Sequence, residues 1–252
     1  MSPTRVISLC PSITETIVAM GGRRLLAGVT RYCTRPKGML WGLPRVGGTK
    51  TPDLARILDL KPDLIFSNAE ENRLEDVEAL RASGIAVDVT LPKTVAEVPD
   101  TIRRWGVLLD RSEEAEPLAA RIRSEIAALE SRRANASFRY AYWIWKDPWM
   151  TISDDTYVAD LLRMAGGKNA YGEESARYPT TTPQEALRRE AGLQIFPSEP
   201  YPFSEEKHGD LTARLFGDET RRLFVEGDDF CWHGARTLDG LKAVSALIKL
   251  GN

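Results

Sequence analysis

The chain is poor in the residues that build zinc sites and disulfide frameworks. It holds two histidines and three cysteines in 252 residues. Two histidines exclude a three-histidine zinc site. An odd number of cysteines excludes a complete disulfide framework, and no C-x-x-C pair occurs. Reduced thiols are the simpler reading and lean toward a reducing compartment. No apolar run approaches the roughly 18–20 residues that span a bilayer. No secretory leader precedes the first apolar run, Val6-Ile7-Ser8-Leu9. The chain is therefore expected to be cytoplasmic if Met1 is the native start, or exported with its leader removed.

Charge of one sign is lacking too. With 34 basic and 36 acidic residues the net charge is −2, so no nucleic acid is called for as a partner. A P-loop, a nucleophile elbow and a Rossmann glycine fingerprint are all missing. The pairs Gly47-Gly48 and Gly166-Gly167 read as turns. The paired carboxylates Asp154-Asp155 and Asp228-Asp229 come without an acid–base partner. An enzyme is not expected.

What is present suits a soluble globular protein of one large or two modest domains: 42% apolar and 28% charged residues. Val6–Leu9, Leu25–Val29, Leu64–Phe66 and Ile85–Val89 read as strands. Helices over Asp53–Leu60, 74–83 and up to Leu109 alternate with them. Ser12-Ile13-Thr14-Glu15 and Thr94-x-x-Glu97 match capping boxes. From Ser112 a longer helix of about 20 residues, up to Ala134-Asn135, carries one stripe of Ala115, Leu118, Ala119, Ile122, Ile126 and Leu129. The alternation then resumes. Tyr140–Trp145 and Trp149–Ile152 read as strands, and a helix runs from Thr156 to Gly166-Gly167. Thr182-Pro183 opens another helix. Gln194–Phe196 and Leu223–Val225 read as strands before a last helix over 237–250. Such alternation predicts an α/β fold of two Rossmann-like lobes with mainly parallel sheets. The halves echo each other weakly: a shift of 130 places Ile65-Phe66 on Ile195-Phe196. The expected division is an N-terminal lobe over 1–110, a bridging helix over 111–135 and a C-terminal lobe over 136–252.

Several runs resemble a known family. Arg5-Val6-Ile7-Ser8-Leu9-Cys10-Pro11-Ser12-Ile13-Thr14-Glu15 resembles the opening strand and helix of class III periplasmic binding proteins of ABC importers. Leu58-Asp59-Leu60-Lys61-Pro62-Asp63-Leu64-Ile65 resembles their next strand entry, Val46-Gly47-Gly48 the segment before it, and Asp229-Phe230-Cys231-Trp232-His233-Gly234-Ala235-Arg236 their last loop at the ligand. The order covers nearly the whole chain and is most similar to the cobalamin-binding, or helical backbone metal receptor, group. The resemblance implies two α/β lobes joined by one rigid helix, a ligand cleft between them, an extracytoplasmic receptor and an ABC permease as partner. It implies cobalamin or another metal chelate as the small-molecule ligand, a ferric siderophore or haem being the alternative, and no required cofactor. A monomer is expected. Family members dock through one glutamate on each lobe; the matching positions here are Ala55 and the neighbourhood of Trp232-His233, where no glutamate stands. A cytoplasmic carrier or sensor on the same fold stays open.

The candidate ligand residues follow strands. Flat, partly wet aromatics suit a large amphipathic ligand; these are Tyr32, Trp41, Trp149, Tyr178, Tyr201, Phe230 and Trp232, with Trp143 and Trp145 expected to pack. Cys10, Pro11, Ser12 and Thr14 open the first helix, whose free amides can hold an anion. Arg31, Lys50, Asn68 and Glu199 are the polar candidates. Cys10, Cys33, Cys231 and His233 compose a competent soft-metal set if the chain brings them together. His208, in a polar stretch, is expected at the surface.

Overall fold

A computed structural model describes residues 2–132, 137–217 and 219–248. In chain order the elements are β1 (Val6–Ser8), α1 (Pro11–Ala19), β2 (Leu26–Val29), α2 (Leu54–Asp59), β3 (Leu64–Asn68), α3 (Leu74–Ala82), β4 (Ala86–Thr90), α4 (Val98–Leu109) and α5 (Ser112–Arg132). They continue with β5 (Phe138–Tyr142), α6 (Tyr157–Met164), β6 (Gly167–Asn169), α7 (Pro183–Arg188), β7 (Leu193–Pro197), α8 (Glu205–Phe216), β8 (Arg221–Val225), α9 (Gly227–Cys231) and α10 (Thr237–Leu247). The expected end of the long helix at Ala134-Asn135 and the tail of the last helix beyond 248 lie outside the described residues. Among the described residues no helix is long and apolar enough to cross a membrane.

The chain divides into two compact units. The first takes the chain through Pro92, Ala96–Arg123 and His233–Arg236; the second takes Lys93–Val95, Ser124–Trp232 and the chain from Thr237. Each unit has one four-stranded, wholly parallel sheet, ordered β2-β1-β3-β4 in the first and β6-β5-β7-β8 in the second. The orders are equivalent, with β3 and β7, the carriers of Ile65-Phe66 and Ile195-Phe196, in the same place. The predicted α/β class and the likeness of the halves are thus what the fold contains.

Burial explains the pattern. The central strands β3 and β7 are buried at every residue, as expected of parallel strands covered on both faces. One core gathers Ile7, Leu9, Val46, Ile57, Ile65 and Leu80. The core of the second unit is aromatic: Trp143, Tyr171, Phe196, Phe203 and Phe216 are buried together. On α5 the predicted stripe is real, with Ala115, Ala119, Ile122 and Leu129 buried.

Local readings fail where a tertiary partner intervenes. The Ser12 capping box does not form. Helix α1 starts at Pro11 with Cys10 at the N-cap and no side-chain cap bond, because Pro11 is itself suited to the first helical position. Glu15, freed from capping, pairs with Arg236. Helix α4 starts at Val98, after a single 3-10 turn over Val95–Glu97 whose Val95 amide donates to Asp160 Oδ2 at 2.7 Å. Strand β5 stops at Tyr142, short of the predicted Trp145, and Trp149–Ile152 makes only isolated bridges through Met150. Two elements carried no clear signal: β6, a three-residue edge strand of Gly, Lys and Asn, and α8, whose sequence is mostly polar.

Candidate functional site

In an open parallel sheet, ligands bind beyond the carboxyl ends of the strands. In the first unit that edge is shaped by Asn72, which is buried. Its Nδ2 donates to the carbonyls of Leu9 (3.2 Å) and Thr49 (2.9 Å), and its Oδ1 accepts from the Asn68 amide at 2.9 Å. Asn72 thereby ties the ends of β1 and β3 to the Gly47–Pro52 turn. Sequence reading missed it; its only signal was an asparagine four residues after Asn68. The turn needs glycine at 47, where φ is +88° and a Cβ would lie 2.6 Å from the Thr51 carbonyl oxygen. The Arg31 amide donates to the Gly47 carbonyl at 2.8 Å, and its guanidinium lies 5.1 Å from the centre of the Tyr32 ring. Lys50, on the same turn, donates to the Glu70 carbonyl. Of the predicted ligand residues of this unit, Arg31, Tyr32 and Lys50 are exposed side by side along this edge.

The others, except Trp41, are inside. Pro11, Ser12 and Thr14 are buried with Cys10. Thr14 Oγ1 donates to Ser8 Oγ (2.8 Å) and lies 3.1 Å from Cys33 Sγ, and Ser12 Oγ lies 3.2 Å from Cys10 Sγ. Asn68 is a loop builder: its Oδ1 accepts from the Glu70 amide at 2.8 Å. Its Nδ2 lies 3.1 Å from Nε2 of His233, which is buried and 5.8 Å, centre to centre, from the Trp105 ring. Burial holds the His233 imidazole down at about 4, so it is neutral at pH 7. Trp41 is 89% exposed but sits elsewhere. Its carbonyl and that of Met39 accept from Arg23, which precedes β2, so this stretch returns along the outer side of β2 toward its amino end.

In the second unit, Glu199 follows β7 and accepts from Cys231 Sγ at 3.1 Å. Phe230 and Cys231 lie on α9, not in a loop as predicted, and Phe230 is buried 6.1 Å, centre to centre, from the Tyr142 ring. Trp232 ends α9 and is half-buried. Trp149 and Tyr201 pack against the aromatic core, Trp149 at 5.1 Å from Trp143 and Tyr201 at 4.5 Å from Phe203, centre to centre. Trp143 is buried as expected and donates to Gln194 Oε1 at 2.8 Å, while Trp145 is 42% exposed and Tyr178 38%. His208, expected at the surface, is half-buried against Tyr201 and Phe203.

The soft-metal set is not assembled. Among the described residues no three His, Cys, Asp or Glu side chains come together to hold a metal ion. Cys10 and Cys33 serve as small buried residues beside hydroxyls, and burial pushes both thiols up. Cys231 bonds to Glu199, and His233 to Asn68.

The chain resembles known proteins over nearly all its length. A family model described as periplasmic binding protein matches residues 6–207. A vitamin B12-binding protein of Vibrio cholerae is 26% identical over 248 residues, 98% of this chain and 89% of that protein. One from Pectobacterium carotovorum is 29% identical over 202 residues, 79% and 72% of the two chains. The crystal structure of the periplasmic vitamin B12 binding protein BtuF of Vibrio cholerae superposes with TM-score 0.83 at 24% identity, over 99% of this chain and 98% of that one. A periplasmic heme-binding protein from Pseudomonas aeruginosa gives TM-score 0.83 at 19% identity, over 98% and 92%. The solved structures speak for the fold alone, whereas the family model covers most of the sequence: the chain belongs to the periplasmic binding protein family.

Proposed function

We propose that this protein is a non-catalytic receptor for cobalamin or a closely related corrinoid, working outside the cytoplasm as the solute-binding partner of an ABC permease. The observation that carries the reading is the near end-to-end sequence likeness to a vitamin B12-binding protein. The site residues support it. Arg31, Tyr32 and Lys50 in the first unit and Glu199 in the second follow strands, and Tyr178 and Trp232 add partly exposed aromatic faces. This mixture suits a large amphipathic macrocycle with polar side arms. A receptor rather than an enzyme also fits the carboxylates: Asp155 is engaged by Lys93 at 2.7 Å and Arg177 at 2.9 Å, a structural ion pair rather than an acid–base device.

The test is titration of the purified chain with cobalamin, haem and a ferric siderophore, read by tryptophan fluorescence and visible absorbance. Saturable one-to-one binding of cobalamin in the micromolar range or tighter is expected. Trp232→Ala weakens it while leaving the melting temperature nearly unchanged. Saturable binding of haem with none of cobalamin would refute the corrinoid assignment.

A further inference from the structure

The segment between β2 and α2 presents an exposed tip at Met39 and Trp41. Between Glu15 and Asp53 the sequence holds seven cations and no carboxylate. Within it Met39 and Trp41 are 49% and 89% exposed, while Leu40 between them is buried. The tip is built, not loose. Gly38 and Gly42 frame it with φ of +78° and +77°, the Met39 amide donates to Pro36 at 3.2 Å, and Arg23 holds the carbonyls of Met39 and Trp41. Arg24 and Lys37, on either side in sequence, are exposed.

We propose that this tip docks the protein on an anionic lipid surface, with Trp41 and Met39 entering the headgroup layer and Arg24 and Lys37 meeting lipid phosphates. Tryptophan favours the membrane–water interface, where its ring is apolar and its N–H stays wet. Cations near an anionic leaflet add roughly 1 kcal/mol each. Two protruding apolar side chains are too few for the roughly 800 Å² per partner of a stable protein interface, but they suffice as a wedge into lipid. Fixing the tip in advance lowers the entropy lost on insertion.

The experiment is sedimentation of the full chain with vesicles of phosphatidylcholine alone or mixed with phosphatidylglycerol, at low and high salt. Preferential binding to the anionic vesicles at low salt is expected, with release at high salt as screening shortens the reach of the charges. Trp41→Ala should abolish the vesicle-induced blue shift of emission. Arg24→Gln and Lys37→Gln should each lower partitioning about fivefold, the factor that ~1 kcal/mol per cation implies. The exposed positions keep all three variants folded, which a melting curve verifies. The proposal is overturned by equal binding to neutral and anionic vesicles, by no binding to either, or by binding that Trp41→Ala leaves intact. Loss of cobalamin affinity in Trp41→Ala with unchanged vesicle binding overturns it as well and assigns the tip to the ligand.

Discussion

Lowering the pH should destabilise the first unit through one side chain. His233 is buried against Asn68 and Trp105, and its folded value of about 4 lies below the ordinary 6.5. The neutral form is therefore favoured by folding. The stability it contributes is complete above pH 6.5 and is lost as pH falls through the interval down to 4. The full displacement corresponds to about 3 kcal/mol, of which about 2 kcal/mol is already lost at pH 5. Urea denaturation at pH 7.5 and pH 5.0, followed by tryptophan fluorescence, measures it. Wild type should lose about 2 kcal/mol more than His233→Asn between the two conditions. His208, the other histidine, is present in both proteins and cancels. Equal pH sensitivity of wild type and His233→Asn would refute the reasoning, whatever the variant costs at pH 7.5.

Other consequences follow from the same contacts. Gly47→Ala should destabilise by about 2 kcal/mol or more in thermal melts, since φ is +88° and the new Cβ meets the Thr51 carbonyl at 2.6 Å. Arg236→Met should cost about 3 kcal/mol, because Glu15, like Arg236, is only 12% exposed at its side chain; Glu15→Leu/Arg236→Met should recover much of that loss in chemical denaturation. Native protein should present one thiol to a disulfide reagent at pH 8, the half-exposed Cys231. Cys10 and Cys33 should react only after unfolding, because burial hides them and raises their pKa. Tyr32→Ala should weaken cobalamin binding several-fold in fluorescence titration without altering the melting temperature, since the ring is 51% exposed.

The repeating order of the fold was legible along the chain. The short runs Leu64–Phe66 and Gln194–Phe196 read as strands, and each proves to be the core of a buried central one. The stripe on α5 follows from helical periodicity, and the likeness of β3 to β7 from the 130-residue shift. These are local properties, fixed by neighbours along the chain. Which polar groups meet was settled by how the chain packs. Glu15 looked like half of a capping box until Arg236, 221 residues away, claimed it. Cys231 looked like a metal ligand until Glu199 accepted its proton donor. Asn72 gave no sign of joining Leu9 to Thr49, and Trp41 gave none of leaving the strand ends to run back along β2. Hydrogen bonds and ion pairs are satisfied by whichever partner the fold brings within about 3 Å, and that partner is set by the packing of the sheets, not by spacing in the sequence.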